Sequence, residues 1–473
     1  MDQYIMIYMP TADYSMVDRV LGEVAEQVTP SPKEIEKVDG VAKSVLEKIR
    51  GALEFSKFGP EIILGGSYAR NTWLPLEADI DVFLRYPTNV TRKELEEDSY
   101  RISCKAFGEE NLVIRYAEHP YTETYVDNVR VNVVPCYKVE IGNWMTAADR
   151  SPYHLKFVKE NITREQTLDV RLLKKFLKSQ GIYGAEIKVG GFSGYMCETL
   201  IYRYGSFKNL ILNAAKWKPP IIITDKDKFD EVKEKFKGDK IIITDPVDYN
   251  RNLGKALTIK SLAKFVLACR SFLKKPTKEY FTVSGKKIKP KDLEDNILLE
   301  NVIALLFEHE KMSADILWGM LYKTLNHFKK QFNENNFRVA RTVAVSDEKS
   351  YSAYLFLFET KQVSEYETRI GPYIFDEENF EKFVTKNLDN SYILWVNEEG
   401  KICALKKRNI SKAKKLLEEM LKDPIKYGAS RKIAETLKNG KVYAGKEILE
   451  VEKDELWSGV IELLEPGEKK YFS

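Results

Sequence analysis

The sequence has few of the residues that build disulfide frameworks and zinc sites. Its five cysteines and four histidines are scattered along 473 residues, without the spacing of a CxxC or HExxH motif. An odd and dispersed set of cysteines is typical of a protein in a reducing compartment, so we expect a cytoplasmic location. Any bound metal ion is then expected to be a hard cation held by oxygen ligands.

Long hydrophobic runs are also missing. No segment approaches the ~20 consecutive apolar residues that cross a membrane. Residues 1–10 contain Asp2 in place of a basic leader, so we expect no signal peptide. With 44% hydrophobic and 31% charged residues, the composition indicates a globular protein of several domains. The formal net charge of +4 identifies no partner by itself, so local clusters of charge carry more information.

The spacing of apolar residues divides the sequence into three parts. Residues 1–153 interleave helical and strand patterns, which predicts a mixed sheet covered by helices. Residues 154–273 are mainly helical by the same criterion, and residues 274–473 again mix strands and helices. The expected fold class is therefore a multidomain α+β protein, with boundaries near residues 153 and 273.

Short apolar runs bounded by Gly or Pro predict individual strands. In the first part these runs lie at residues 61–64, 78–85 and 129–134, the last stopped by Pro135. In the later parts we expect a surface excursion at 216–240, a polar loop at 245–252, and strands at 350–359 and 390–405. These expectations place the motifs described next on one sheet.

The most informative segment is a strand that runs into a Gly-Gly-Ser turn at residues 65–67 and is followed by Asp79 and Asp81. Glycines let the backbone approach a ligand closely, while Ser67 and Arg70 add a hydroxyl group and a positive charge. Asp79 and Asp81 are two residues apart on a strand, so both side chains leave the same face of the sheet. Two carboxylates this close favour a divalent cation such as Mg²⁺. No Lys-Ser or Lys-Thr follows the glycines, which excludes a Walker-type loop.

A Gly-Ser pair followed further on by Asp-x-Asp resembles the signature of the polymerase-β nucleotidyltransferase superfamily. The longer motifs around this signature are similar to those of the archaeal-type (class I) CCA-adding enzymes in particular. The blocks that carry this likeness follow in the family's order at residues 65–73, 78–83, 133–137, 183–186, 191–195 and 245–248. The resemblance implies a polymerase-β-like catalytic domain with a mixed sheet, a helical central domain that binds nucleotide, and an α+β C-terminal region that binds RNA.

The resemblance also implies functions for particular residues. Asp79 and Asp81 would be catalytic and would hold the metal ions, for which two Mg²⁺ are expected. The residues expected to contact the nucleotide are Ser67, Arg70, His154, Lys174, Tyr183 and Arg251, the last of which helps to select the base. The implied substrates are CTP, ATP and a tRNA lacking its 3′ CCA, and the implied reaction adds C, C and A without a nucleic-acid template.

One position departs from the family's pattern. The superfamily uses three carboxylates, and the third metal ligand is expected at position 132, where this sequence has asparagine. Asn132 keeps the shape of aspartate but lacks its charge, so it is a weaker metal ligand and no general base. Asp127 is a poor substitute, because its odd offset along the strand places it on the opposite face.

Asn132 has two explanations. It is either an engineered Asp→Asn change, which we favour because the change preserves shape, or the residue of a natural enzyme that tolerates it. Under the first explanation, we expect this chain to bind nucleotide and tRNA but to transfer nucleotides very slowly.

Basic clusters in the C-terminal part are the expected contacts with the tRNA backbone. The first cluster consists of Lys406, Lys407, Arg408 and Lys412, with Lys414 and Lys415 beside it. The second consists of Lys274, Lys275, Lys278, Lys286, Lys287 and Lys289. Charge runs are usually solvated surface, so it is the resemblance that attaches this part to tRNA. The sequence leaves open whether the chain is a monomer or a homodimer.

Two other functions compete with this interpretation. Another template-independent RNA nucleotidyltransferase, such as a poly(A)-adding enzyme, would share the motifs and differ in its product. A catalytically dead RNA-binding homologue would keep the fold and would account for Asn132. An antibiotic nucleotidyltransferase fits less well, because such proteins are shorter and lack an RNA-binding C-terminal part.

Overall fold

The structure is a computed structural model that describes residues 14–116, 120–282 and 293–472. The chain divides into two compact units, a first unit of residues 1–285 with 471–473 and a second unit of residues 286–470. None of the helices in the described ranges has the length and apolar character that a membrane-spanning helix needs. Residues 1–10, which bear on the signal-peptide expectation, lie outside the described residues.

A five-stranded sheet organises the N-terminal part of the first unit, with strands in the order β1-β2-β5-β4-β3. The strands are β1 (Glu61–Gly65), β2 (Asp79–Tyr86), β3 (Val113–Tyr116), β4 (Pro120–Val126) and β5 (Val129–Tyr137). β2 and β5 are parallel, whereas the other neighbours are antiparallel. The three predicted strands and the mixed sheet are therefore confirmed.

The sequence predicted that Pro135 would end the third strand. In the structure β5 continues past Pro135 to Tyr137. Its pairing with β4 ends at Val133, so the missing N–H of Pro135 lies beyond that ladder. A proline in that position costs the sheet no hydrogen bond on the β4 side. β5 therefore stays beside β2 along its whole length.

Two helices cover one face of this sheet, α2 (Pro32–Ala52) and α4 (Arg92–Phe107). Each begins at a hydroxyl N-cap, Ser31 for α2 and Thr91 for α4, which accepts a hydrogen bond from the first turn. Alternate residues of β2 and β5 point into the core beneath the helices, namely Ile80, Val82, Leu84, Val131 and Val133. Because strand side chains alternate between faces, the intervening residues lie on the opposite face, where the candidate site forms.

The rest of the first unit is mainly helical. Its helices are α1 (Ser15–Val28), α5 (Ser151–Asn161), α6 (Arg164–Ser179), α7 (Gly194–Tyr204), α8 (Phe207–Ala214), α9 (Phe229–Lys235) and α10 (Ile259–Lys274), while the short α3 (Gly66–Ala69) directly follows β1. Most of them share one apolar core, in which Phe176 of α6 packs edge-on against Phe265 of α10. Leu172 and Leu177 of α6 are buried in the same core.

Two segments of this helical part differ from the sequence-based expectation. A three-stranded sheet forms from β6 (Ile221–Ile223), β7 (Ile241–Asp245) and β8 (Asp248–Asn252). Residues 216–240 thus include a strand and α9, and residues 245–252 form a hairpin and not a loop. The cause is burial: Ile241, Ile242 and Ile243 are at most 4% exposed, and a β-branched run of this kind suits a sheet buried on both faces.

The second unit is α+β and contains two further sheets in its described residues. A four-stranded sheet has the order β10-β11-β9-β15, and a three-stranded sheet has the order β12-β14-β13. The strands are β9 (Val302–Glu308), β10 (Val339–Ser346), β11 (Tyr351–Phe358), β12 (Tyr366–Tyr373), β13 (Ile393–Val396), β14 (Lys401–Lys407) and β15 (Lys441–Ala444). The helices are α11 (Ala314–Glu334), α12 (Glu377–Asn387), α13 (Ala413–Lys422), α14 (Arg431–Lys438) and α15 (Asp454–Leu464).

The strand predicted at residues 350–359 is confirmed as β11, which is buried along its whole length. α11 covers one face of its sheet and α15 the other. The strand predicted at 390–405 is two strands, β13 and β14, because a turn at residues 397–400 separates them. Gly400 closes this turn with a φ of +75°, a conformation that glycine adopts readily.

Candidate active site

The Gly-Gly-Ser turn lies against the aspartate-bearing strand. β1 ends at Gly65 and α3 begins at Gly66, whose φ is +69°. A Cβ atom added at Gly66 would lie 2.2 Å from Oδ2 of Asp81, and one at Gly65 would lie 2.4 Å from the ring of Phe83. Glycine is therefore required at both positions by the close approach of the turn to β2.

Asp79 and Asp81 leave the same face of β2, as predicted, and each meets a residue of β5. In the parallel register Asp79 is opposite Arg130 and Asp81 is opposite Asn132. Nδ2 of Asn132 donates a hydrogen bond to Oδ1 of Asp81 at 2.8 Å. Arg130 binds Asp79 with two N–H groups, Nε to Oδ1 at 2.9 Å and Nη2 to Oδ2. Position 132, where the third carboxylate was expected, thus lies directly beside Asp81.

The electrostatics of Asp81 are set by burial. Burial raises the pKa of its carboxyl group, the hydrogen bond from Asn132 opposes this, and the neighbouring charge of Asp79 raises the pKa further. A raised pKa means that the charged form is costly in the absence of a compensating cation. The site is thus arranged to gain from the binding of positive charge next to Asp81.

The donor set fits a hard divalent cation. Asp79 and Asp81 offer carboxylate oxygens, and Oδ1 of Asn132 is a buried oxygen without a hydrogen-bond partner. Oxygen ligands of this kind are those that Mg²⁺ prefers. Among the described residues no group of three or more His, Cys, Asp or Glu side chains is placed to hold a metal ion. At this site the position beside Asp81 is occupied by the amide of Asn132 and not by a third carboxylate.

A cavity of about 360 Å³ opens beside these strands. It brings together four of the predicted site residues, Ser67, Asp79, Lys174 and Tyr183. Arg130 and Lys178 also line it, and the ammonium group of Lys178 lies 5.1 Å from the centre of the Tyr183 ring. The cavity therefore offers several positive charges and the hydroxyl groups of Ser67 and Tyr183 next to Asp79, as an anionic nucleotide requires.

A buried network ties the turn to the helices. Nζ of Lys174 on α6 donates to the Thr72 carbonyl at 2.8 Å, and the Thr72 hydroxyl donates to Glu198 Oε1 at 2.6 Å. Nε of Arg70 lies 3.1 Å from the same Glu198 oxygen. Lys174 and Glu198 are only 3% and 1% exposed, and both are hydrogen-bonded to the Thr72 hydroxyl, which links the two buried groups. Burial lowers the pKa of Lys174, and Glu198 opposes this shift.

His154 and Arg251 meet at a carboxylate that the sequence analysis did not assign. Nε2 of His154 lies 2.8 Å from Oδ2 of Asp245, and Nη1 of Arg251 lies 3.2 Å from the same oxygen. The Tyr195 hydroxyl donates to Oδ1 of Asp245 at 3.1 Å, and its ring stacks on His154 at 3.7 Å. Burial lowers the pKa of His154 and Asp245 opposes this. Asp245 and Tyr195 lay within motif blocks but only the fold reveals their partners.

The residues of the predicted RNA-binding cluster differ in their exposure to solvent. Lys407 and Lys412 are exposed and Lys406 is half-buried on β14. Arg408 is directed into the protein, where Nε donates to the Ser364 carbonyl at 3.1 Å and the guanidinium pairs with Glu367. In the second cluster Lys278 pairs with Glu23 at 2.7 Å. Lys286, Lys287 and Lys289 lie outside the described residues.

Comparison with known families assigns the sheet and its site to a class. Residues 46–163 match the nucleotidyltransferase domain, so the first unit contains the catalytic fold of a nucleotidyltransferase. Residues 168–282 match the second domain of tRNA nucleotidyltransferase, and residues 300–445 match the C-terminal domain of the CCA-adding enzyme. The predicted fold class is thereby confirmed.

Relatives of this chain share most of its length. The CCA-adding enzyme of Sulfurisphaera tokodaii is 35% identical over 85% of this chain and 90% of its own length. That of Pyrobaculum neutrophilum is 39% identical over 79% of this chain and 86% of its own. The chain therefore belongs to the family of CCA-adding enzymes, and its enzyme class is tRNA nucleotidyltransferase. The resemblance noted in the sequence is confirmed.

One solved structure has a more distant likeness. The Cid1 poly(U) polymerase is 12% identical, covers 58% of this chain and 100% of its own, and has a TM-score of 0.45. A likeness at this level carries no argument about function.

Proposed function

We propose that this chain adds C, C and A to the 3′ end of tRNA that lacks these nucleotides, using CTP and ATP without a nucleic-acid template. The observation that carries the proposal is the cavity in which Ser67, Asp79, Lys174 and Tyr183 meet, in a chain related to CCA-adding enzymes along most of its length. The family's expected location makes the cytoplasm the proposed place of action.

In this proposal the nucleotide occupies that cavity. Ser67, Lys174 and Tyr183 bind the triphosphate and the ribose, since they line the cavity beside Asp79. Arg70 is held by Glu198 and supplies a further positive charge. His154 and Arg251, both fixed by Asp245, contact the sugar-phosphate and the base respectively. The neutral form of His154 is favoured by its burial, so Arg251 is the charged member of that pair.

Asp79 and Asp81, with the amide oxygen of Asn132, are the proposed ligands of two Mg²⁺ ions. When bound, such ions make the 3′-hydroxyl of the RNA a better nucleophile and offset the charge of the triphosphate. The hydroxyl attacks the α-phosphate in line, the new phosphodiester bond forms, and pyrophosphate leaves. The residues of the chain chiefly position the two substrates and neutralise charge, which is the usual contribution of the protein in phosphoryl transfer.

The second part of the proposal concerns rate. Asn132 offers a neutral oxygen where the family has a carboxylate, so the site holds its cations weakly and turns over slowly. The engineered change stays the favoured origin of this residue, and a tolerated natural asparagine stays the other.

The test is transfer of labelled CTP and ATP to tRNA lacking its CCA, in Mg²⁺, by this chain and by Asn132→Asp. We expect the Asn132→Asp variant to add C, C and A about a hundredfold faster, because the loss of a residue that merely supports a metal ligand already costs about 10–100-fold. Asn89→Asp is the matched control, since it adds the same charge on the exposed turn that follows β2, at the end of that strand away from Asp79, and should not restore the rate.

Each other outcome has a definite meaning. If neither chain adds nucleotides, the proposal that this chain adds CCA to tRNA is wrong, and the chain is a catalytically dead RNA-binding homologue. If the product is a long A tail, the chain is a poly(A)-adding enzyme. If this chain is as fast as Asn132→Asp, the slow-variant part of the proposal is wrong.

The domain organisation and assembly belong to the same proposal. Residues 1–153 serve as the catalytic domain, residues 154–273 as the nucleotide-binding neck, and residues 274–473 as the part that grips tRNA. A homodimer is the assembly to be tested, by size-exclusion chromatography with light scattering.

A further inference from the structure

Asp79 has both of its carboxylate oxygens engaged by one side chain. Nε of Arg130 donates to Oδ1 at 2.9 Å and Nη2 donates to Oδ2, in the bidentate geometry of an arginine–carboxylate pair. The pair is fixed by the register of the parallel strands β2 and β5, which places the two residues opposite each other. Both residues line the 360 Å³ cavity, so the guanidinium lies where a cation bound to Asp79 would lie.

This pair is open to solvent. The side chains of Arg130 and Asp79 are 43% and 32% exposed. An exposed ion pair contributes little to stability and exchanges readily, whereas a buried one is costly to break. Arg130 is thus a removable partner of Asp79, in contrast to the buried partners of Arg70 and Lys174.

A second carboxylate lies within reach of Arg130 on the same face of the sheet. β4 and β5 pair in the register that places Glu123 opposite Asn132, and diagonal neighbours across such strands contact each other through long side chains. Glu123 is 5% exposed and already accepts Nη2 of Arg115 at 2.7 Å. A carboxylate accepts up to about four hydrogen bonds, so Glu123 can take a second guanidinium.

We propose that Arg130 acts as a latch on Asp79. The guanidinium of Arg130 competes with a divalent cation for the Asp79 carboxylate, and it turns to Glu123 when the cation binds. The proposal rests on the metal site of the proposed function. It predicts that the site resists metal ions until Arg130 leaves, and that the affinity of the site for cations is set by a residue that is not a ligand. Asp79 and Glu123 both favour the charged form of Arg130 and raise its pKa, so the latch stays cationic throughout.

The test is a titration with Mn²⁺ alone, followed by the loss of the electron paramagnetic resonance signal of free Mn²⁺, without nucleotide or tRNA. Arg130→Gln is expected to bind Mn²⁺ about tenfold more tightly than this chain, because one opposing charge and one competing ion pair are gone. Arg130→Lys, which keeps the charge but not the bidentate geometry, is expected to lie between them.

Arg85→Gln is the matched control. Arg85 lies on β2, on the same face as Asp79, and pairs with Glu61 at 3.3 Å. Its change to Gln therefore removes the same charge as Arg130→Gln, but from the neighbouring strand and at the end of β2 away from Asp79. We expect its Mn²⁺ affinity to stay within about twofold of this chain, because Arg85 lies six positions along β2 from Asp79, a distance of about 20 Å. Far-UV circular dichroism and thermal melting establish that each variant is folded.

The outcomes distinguish the proposed role of Arg130 from the existence of the metal site itself. If Arg130→Gln and Arg130→Lys bind Mn²⁺ no more tightly than this chain, the latch is wrong. If the double change Asp79→Asn with Asp81→Asn leaves the Mn²⁺ affinity of this chain unaltered, the metal site of the proposed function fails as well. Glu123→Gln tests the alternative partner: it should weaken Mn²⁺ binding by about threefold, since the displaced guanidinium loses its acceptor, and tighter binding would contradict that role for Glu123.

Discussion

At the scale of single residues, the site is defined by two carboxylates on β2, each of which is paired with a residue of the neighbouring strand β5. Asp81 accepts a hydrogen bond from Asn132, while Asp79 accepts two from Arg130. The two carboxylates are therefore compensated by different means, one by a neutral amide and the other by a full positive charge. Asp81 is the less well compensated of the two, and its raised pKa reflects this.

This difference makes a prediction for stability. Because burial raises the pKa of Asp81 in the folded chain, the charged carboxylate destabilises the folded state at pH values above that pKa. Asp81→Asn is therefore expected to raise the free energy of unfolding by about 1 kcal/mol at pH 7 in EDTA. The gain should vanish as the pH falls below the unfolded-state pKa of about 4, where Asp81 is protonated in both states.

Urea denaturation at both pH values measures this effect. Asp79→Asn is the control, because it removes the partner of Arg130 and is expected to give no stabilisation. A stabilising effect of Asp81→Asn that is equally large at low pH would contradict the electrostatic cause.

At the scale of secondary-structure elements, the β7–β8 hairpin connects helices that carry proposed nucleotide-binding residues. Asp245 at the end of β7 binds His154 of α5, Tyr195 of α7 and Arg251 of β8. Asp248 at the start of β8 forms a separate ion pair with Arg150 at 2.8 Å. The hairpin thus carries two buried carboxylates, of which only Asp245 orients the predicted nucleotide-binding residues.

The hairpin supplies a prediction about base selection. Asp245→Asn weakens the hold on Arg251 and His154, so the ratio of kcat/KM for CTP over UTP should fall about tenfold, the loss expected from a misplaced hydrogen-bonding group. The measurement uses the Asn132→Asp background, in which turnover is expected to be fast enough. Asp248→Asn breaks the neighbouring ion pair and should leave the ratio unchanged. An equal loss in both variants would assign the effect to the stability of the hairpin.

At the scale of the whole molecule, the chain consists of two units with different chemistry. The first unit contains the sheet, the cavity and the buried charge network, whereas the second unit contains the basic cluster at the end of β14. Within that cluster Lys407 and Lys412 are exposed, but Arg408 binds the carbonyls of Ser364 and Asn335. The residues of one charge run therefore divide into surface charges and a structural arginine.

This division leads to a prediction for tRNA binding. The triple change of Lys406, Lys407 and Lys412 to Gln should weaken tRNA binding and reduce the dependence of log Kd on log salt by about one for each phosphate that the protein no longer neutralises. The melting temperature should stay nearly constant. Arg408→Gln should instead lower the melting temperature of the second unit, because the Ser364 and Asn335 carbonyls and Glu367 lose the guanidinium that binds them.

Filter binding of labelled tRNA between low and moderate NaCl concentrations measures the first effect. The triple change of Lys226, Lys233 and Lys237, exposed or half-buried lysines around α9, removes the same charge from the first unit as a control. If both triple variants lose affinity equally, the binding is general electrostatic attraction and the cluster on β14 is not a specific tRNA site.

The sequence by itself determined the features that depend on neighbouring residues. The period of two on β2 placed Asp79 and Asp81 on one face of the sheet. Gly65 and Gly66 marked the turn between β1 and α3. The family resemblance extended these local patterns to Ser67 and Lys174, which share one cavity.

Only the tertiary structure decided which groups compensate the site residues. Arg130 is 51 residues from Asp79, and Glu198 is 126 residues from Thr72, so no local pattern indicates these pairings. The same is true of residues 245–252, whose polar composition predicted a loop although burial made them a hairpin. Partners of this kind are fixed by strand register and helix packing, because a buried charge must find its counter-charge in three dimensions, wherever the chain brings one near.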